Sequence, residues 1–387
     1  MKWLGHLRRI TTSGAYLPEV DGLRFVAISS VLVYHIFRLA QMHMLNFVPP
    51  QNRAGAIAMA MIAQGAYGVP LFFAISGFIL GLPFARHYLA GAPKISVRSY
   101  LVRRVTRLEP PYIASLLIRT GPVMIAKHMA LAAILLHLAA SLVYMHVILF
   151  HELPVIQLVA WSLEIEIQFY LLVPLLLPLL CHRNAVLRRS IFVLLLFGLG
   201  VAQHFILAES FVFQYCILSW LQFFLAGVLV ADIYLTDLER IPASWIWDAV
   251  SACLWVVFFN LGRYESKVLG PAIIAVLFLG AFKGKVFSWF YRAAPVSIMG
   301  GMCYSLYLTH SLALQGLAWA FYKVAGTQAS YAHFVASEII IFPFLILVGA
   351  IFFVCLERPC MDKLWPQKLW AYLRAKLQPS PDPLPQQ

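Results

Sequence analysis

Long apolar runs separated by short basic loops dominate this chain from end to end. Eleven such runs are legible, at about 22–45, 62–84, 110–127, 129–149, 162–181, 190–207, 212–235, 244–262, 268–283, 296–322 and 333–356. Most approach the ~20 residues that an α-helix needs to cross a bilayer. Inside lipid a backbone must satisfy its own hydrogen bonds, and a helix does so within one segment. The pattern predicts an all-α, polytopic transmembrane bundle.

Charge then sets the number of spans. Eleven crossings with the N-terminus inside would put the basic loop HRNAVLRR (182–189) outside, against the positive-inside rule. The run at 129–149 carries His137 and His146 and is the weakest span. Read as interfacial or re-entrant, it leaves about ten spans with both termini cytoplasmic. On that topology twenty-one of the 29 Lys and Arg are cytoplasmic, seven lie at or near the outer side, and Arg24 is within the first span. Three segments follow: a cytoplasmic N-terminal segment 1–21, a transmembrane domain 22–356 and a cytoplasmic tail 357–387. The tail ends in QPSPDPLPQQ, proline-rich and predicted to be disordered. The start is basic and then polar, without an apolar h-region, so no cleaved signal peptide is expected.

Composition narrows the partners. Hydrophobic residues make up 62% of the chain and charged ones only 12%, which fits a lipid bilayer and no soluble domain. The net charge of +13 is spread over loops between spans, so it reads as topology and not as nucleic-acid binding. The six cysteines form no C-x-x-C pair, and the twelve histidines include no H-E-x-x-H. Neither a disulfide framework nor a metal site is expected. Nothing in the pattern sets an oligomeric state.

Several stretches break the apolar rule. In RFVAISSVLVYH (24–35) eleven helical steps bring Arg24 and His35 to within about 20° of one face, roughly 16 Å apart along the axis. Ionisable groups inside a membrane are expensive, so each is a candidate for function. In YGVPLFFAISGFILG (67–81) the glycines and Ser76 allow close helix packing. In SYLVRRVTRLEPPY (99–112) Arg104 and Arg107 share a helix face beside Arg103, a grouping suited to phosphate. Pro110 and Pro111 are expected to reset the backbone before the next span. In WSLEIEIQFY (161–170) Glu164 and Glu166 stand about 200° apart, so at most one should point into the bundle. That disfavours a two-carboxylate glycoside-hydrolysis site. In MCYSLYLTHS (302–311) His310 lies near Tyr304 and Tyr307. It reads either as a hydrogen bond to a neighbouring helix or as part of a substrate site. Glu357 and Arg358 are expected to form a packed ion pair.

Taken in order, LPEVDGLR with Arg24 and His35, GVPLFFAISGF, the R-x-x-R of Arg104 and Arg107, WSLEIEIQFY, MCYSLYLTHS and LERP (356–359) resemble the membrane-bound acyltransferase type 3 family. The resemblance covers almost the whole chain. It departs at Pro70, where an acid is common, at Ile167, where a second glutamate is common, and at Thr309, where tryptophan is common. Glu166 occupies the recurrent glutamate position. The hydrolase-like domain fused to some members is not expected after the last span.

The resemblance implies an acyl-CoA-dependent O-acyltransferase of a bacterial inner (cell) membrane. It would move an acyl group, usually acetyl, from cytoplasmic acyl-CoA to a hydroxyl of a carbohydrate or related acceptor. Acyl-CoA would be a substrate, with no bound cofactor. His35 is then the candidate general base, a task that suits an imidazole. Glu166 would orient His35 or hold the acceptor, and Arg24 would serve the donor. Arg103, Arg104 and Arg107 are the candidate phosphate ligands, with Tyr307, His310 and Glu357 near the substrates. The rival reading is a transporter of a glycan, lipid-linked sugar or small solute that uses the Arg, His and Glu as a relay.

Overall fold

The apolar periodicity resolves into helices throughout: in the computed structural model the described residues contain no β-strand. Those residues are 6–10, 16–43, 52–180, 182–207, 210–325, 331–362 and 364–377. The QPSPDPLPQQ tail and its expected disorder lie outside them. Five helical stretches are each long and apolar enough to cross a membrane: Pro18–Met42, Gly65–Ala90, Leu158–Pro178, Ala185–Ile206 and Phe334–Cys360. The pair Gly270–Lys283 and Val286–Arg292, bent by 82°, is a sixth candidate. The chain is a helical membrane protein.

Helices that build the interior are numbered as follows. They are α1 (Pro18–His43), α2 (Gly68–Ala90), α3 (Val97–Ala126), α4 (Leu131–Leu142), α5 (His146–Phe150), α6 (Trp161–Leu180) and α7 (Ala185–Ala202). Then come α8 (Leu221–Thr236), α9 (Arg263–Val268), α10 (Cys303–Ala325) and α11 (Tyr331–Phe352). The first helix starts at Pro18, ahead of the boundary at 22, because Asp21 is buried and continues the helix. At the other end a π-turn over Phe353–Glu357 extends α11, so the boundary before 357 cuts a buried turn and does not begin a tail.

Small residues set a very close crossing of α2 and α8. A Cβ on Gly77 of α2 would run into the Phe224 backbone, and one on Gly227 of α8 into the Ala74 carbonyl. Backbones that close gain dispersion contacts lipid cannot compete with. Phe224 stacks on Phe73 at 4.8 Å and on Phe169 of α6 at 4.2 Å, which ties three helices into one core. Leu23 and Ala27 of α1 pack into this core, while its Ile28, Leu32 and Ile36 are buried against Leu306 and Leu314 of α10 and Ile341 and Leu345 of α11. Arg188 of the basic loop region bonds both oxygens of Asp232 at 2.9 and 2.7 Å and so clamps α7 to α8.

Two local expectations are corrected. The helix does not reset at Pro110 and Pro111; α3 runs through them and through Pro122 for 30 residues. Pro110 removes the donor that would bond the Thr106 carbonyl. That carbonyl instead accepts the indole N–H of Trp365 at 3.0 Å, so the break in the ladder is satisfied from outside. The run at 129–149 is indeed no continuous helix. It folds into α4 and α5, with Tyr144 in the left-handed region between them at φ 56°.

Candidate active site

Three cavities follow one another through the bundle, each sharing walls with the next. The first is a vestibule of about 360 Å³ lined by Arg9, Arg86, Arg103, Arg104 and Arg107, with no carboxylate among its lining residues. It shares Ile79, Arg104 and Arg107 with a narrow central chamber of about 120 Å³. That chamber in turn shares Val31, Val69, Ser162 and Tyr307 with a wide cavity of about 540 Å³ at the opposite end, where His35 lies.

The central chamber gathers most of the residues singled out in the sequence. Arg24, Arg104, Arg107, Glu166, Tyr307 and Glu357 all line it, although they come from α1, α3, α6, α10 and the π-turn. The charges of Arg24, Arg107 and Glu357 are met locally. Arg24 donates to Asp21 Oδ1 at 2.8 Å, and Arg9 pairs with Oδ2 of the same carboxylate at 3.0 Å. Asp21 is three residues before Arg24, so its carboxylate lies on the same helix face. Glu357 is fully buried and accepts from the Ser305 hydroxyl at 2.6 Å and its backbone N–H at 3.1 Å. Its other oxygen lies 3.9 Å from Arg107. The expected Glu357–Arg358 pair is therefore corrected. The π-turn widens the helix at that point and swings Glu357 inward, while Arg358 bonds the Arg8 carbonyl.

Glu166 accepts from the hydroxyls of Ser76 and Tyr170, each at 2.6 Å. It stands in the central chamber, away from the cavity that holds His35, so it does not orient that imidazole. The expectation that only one glutamate points inward also fails. Glu164 is 1% exposed and accepts the first N–H groups of α5, those of His146 and Val147, at 3.2 Å each. The folded-over α4–α5 segment gives α6 a second interior face, which a simple bundle would lack.

His35 has no hydrogen-bond partner among the described residues, which leaves its ring nitrogens to the cavity. Its ring packs at 5.2 Å from Tyr34 and 5.1 Å from His310. His310 does not bond a neighbouring helix as expected. Its Nδ1 lies 3.0 and 2.8 Å from the Leu306 and Tyr307 carbonyls of its own helix. Two acceptors fix the proton on Nδ1, so Nε2 carries the lone pair, and that atom is buried without a partner. Tyr307 bonds the Val159 carbonyl and the Ser162 hydroxyl, and Tyr304 bonds the Leu108 carbonyl at 2.9 Å. Arg103 is exposed at the vestibule and belongs to no chamber beyond it.

Several contributors escaped the sequence reading. Ser76 was legible only as a small packing residue, and Tyr170 and Ser305 carried no signal. Lys267, one of the seven charges placed at or near the outer side, is buried in the wide cavity. One group has metal-ligand spacing among the described residues: His137, His146 and Glu152, with donor atoms within 4.8 Å of one another. Its two imidazoles are hydrogen-bonded to each other at 2.9 Å. No search for H-E-x-x-H or i, i+4 pairs finds it, because the hairpin between α4 and α5 makes it.

A family profile described as an acyltransferase domain matches residues 17–358. The O-acetyltransferase OatA of Staphylococcus aureus strain NCTC 8325 / PS 47 is 27% identical over 327 residues, covering 77% of this chain and 50% of its own length. OatA of strain MRSA252 matches with the same identity and coverage. The chain thus spans about half the length of the curated relatives it matches. No solved structure matches it.

Proposed function

The chain belongs to this acyltransferase family, and we propose that it is a multi-pass O-acyltransferase of a bacterial inner membrane. In this reading an acetyl or related acyl group passes from cytoplasmic acyl-CoA to a hydroxyl of a carbohydrate acceptor. One observation carries it: a basic vestibule, a narrow charged chamber and a wide aromatic cavity follow one another, and His35 lies in the last. Five arginines without a carboxylate suit the phosphates of CoA, which take bidentate, charge-assisted bonds. The narrow chamber suits a thread-like pantetheine arm. The wide cavity, walled by Trp161, Tyr215 and Trp220, suits a ring-bearing acceptor.

The chemistry follows from that order. The acceptor hydroxyl gives its proton to a ring nitrogen of His35 while its oxygen attacks the thioester carbonyl. The C–S bond then breaks and the proton passes to the departing CoA thiolate. His310, anchored to its own backbone, holds the ring against which His35 packs. Arg24, kept in place by Asp21, faces the passing donor, and Glu166 balances the arginine charge in the chamber. Ten spans with both termini cytoplasmic put the vestibule on the side where acyl-CoA is made.

The test is purified, detergent-solubilised protein given acetyl-CoA. Release of free CoA thiol that depends on an added carbohydrate and disappears in His35→Ala supports the reading. Solute movement in proteoliposomes without any CoA dependence would instead favour the transporter. Reporters after Arg189 and at residue 377 should read cytoplasmic, and one in 150–160 extracytoplasmic. A cytoplasmic signal from 150–160 overturns the topology.

A further inference from the structure

The wide cavity holds a lysine that no carboxylate among the described residues answers. Lys267, on the short helix α9, is only 9% exposed. Its Nζ lies 2.9 Å from the ring centroid of Trp220 and 5.9 Å from that of Phe223. Among the described residues the ammonium has neither an ion pair nor a hydrogen bond, and its charged neighbour is the like charge of Arg263. Among the described residues no carboxylate lines the cavity. The backbone that carries Lys267 is pressed against α7, where a Cβ on Gly200 would collide with it.

Other buried charges have hydrogen bonds or opposite charges: Arg188 has Asp232, Arg24 has Asp21, and Arg119 donates to the Ile156 carbonyl and the Ser311 hydroxyl. A ring face recovers part of the cost of desolvating an ammonium but satisfies none of its N–H donors. An amine kept in this way is held in place, and an anion entering the cavity would favour its charged form. The surrounding surface points to what carries the anion. Trp161 packs on Trp220 at 5.5 Å and on Tyr215 at 5.2 Å, a rigid aromatic wall. Such faces suit the C–H face of a pyranose ring, and the amides of Gln64 and Gln203 and the Ser162 hydroxyl complete a lining that suits sugar hydroxyls.

We infer that this cavity selects a negatively charged sugar, its carboxylate or phosphate on Lys267 with Arg263 nearby, and its ring against Trp161 and Tyr215. This names the acceptor class for the acyltransferase reading and rests on that reading only for the word acceptor. Binding is measured without any acyl donor, so failure of the transfer chemistry leaves this test standing.

The probes are methyl β-glucuronide, glucose 6-phosphate, neutral methyl β-glucoside and inorganic phosphate, titrated into the full chain in detergent and followed by calorimetry. At least one charged sugar should bind 10-fold or more tightly than the neutral glycoside and than inorganic phosphate. Which of the two does so tells carboxylate from phosphate. Lys267→Met should bring the charged and neutral sugars within about 2-fold of each other, and Lys267→Arg should keep the preference. A melting temperature within a few degrees of wild type confirms that both variants fold. Equal affinity for charged and neutral sugars, absence of binding included, overturns the inference. So does phosphate binding as tightly as the charged sugars, or a preference that survives in Lys267→Met.

Discussion

The central chamber and the wide cavity share Val31, Val69, Ser162 and Tyr307, yet they treat charge in opposite ways. In the chamber Arg24 has Asp21, Arg107 has Glu357, and Glu166 has two hydroxyls. In the cavity His35 and Lys267 have no partner of opposite charge among the described residues. Paired buried charges are fixed before any ligand arrives, so they can guide a substrate with little reorganisation. Unpaired groups are costly until a ligand meets them, and are free to bind or to take a proton. The contrast is between a preset passage and a site that waits for its substrate.

The comparison breaks most sharply at His35. His35→Ala should lower acyl transfer by ~10²–10⁴-fold, the usual contribution of a general base, while acyl-CoA affinity stays unchanged. Near-normal turnover in the folded variant would make the imidazole a packing residue. The next largest effect belongs to the chamber and falls on stability. Glu357→Ala strands Arg107 beside the orphaned donors of Ser305 and should cost about 3–5 kcal/mol, read as a lower melting temperature. Combining it with Arg107→Ala should recover part of that loss, since the stranded charge is gone.

Arg104 sharpens the comparison from between these extremes. It lines both vestibule and chamber but makes no ion pair among the described residues, resting 5.7 Å from the Tyr100 ring. Arg104→Ala should therefore leave the melting temperature in place while weakening acyl-CoA binding by about 1.5–3 kcal/mol. Lysine should restore only part, because it keeps the charge and loses the fork. Unchanged affinity would leave Arg104 as a topology anchor. The smallest effect is that of Ser76→Ala, which removes one of two hydroxyls on Glu166. It should cost about 1 kcal/mol and shift donor affinity little, because Tyr170 still holds the carboxylate. A loss as large as that of Glu357→Ala would mean the chamber is less preset than its pairing indicates.

Much of this was visible in the residues because the membrane makes intramembrane charge rare and therefore informative. Arg24 and Glu166 stood out for that reason, Arg104 and Arg107 as a phosphate-type cluster and Glu357 as the expected partner of Arg358, and the structure brings all five to one chamber. Helix geometry put Arg24 and His35 on one face. It could not tell that a wall at Val31 would assign them to different cavities. The misreadings share a cause. Glu164 seemed to face lipid because only a local hairpin supplies its interior. Pro110 seemed to end a helix because the indole that satisfies Thr106 is more than 250 residues away in sequence.

The sequence by itself determined the class, the helical character and most of the charged groups that line the central chamber. Lipid solvation acts on each residue locally, and the 3.6-residue period fixes faces without reference to the rest of the chain. Tertiary structure alone decided which charge answers which. Ser305 and Arg107 meet Glu357, and Ser76 meets Glu166, across distances that no local periodicity encodes. It alone also placed Lys267 on the Trp220 ring, without a counter-charge among the described residues. Pairing is a property of what two helices bring to the same point, and that is set by close approach at residues such as Gly77, Gly200 and Gly227.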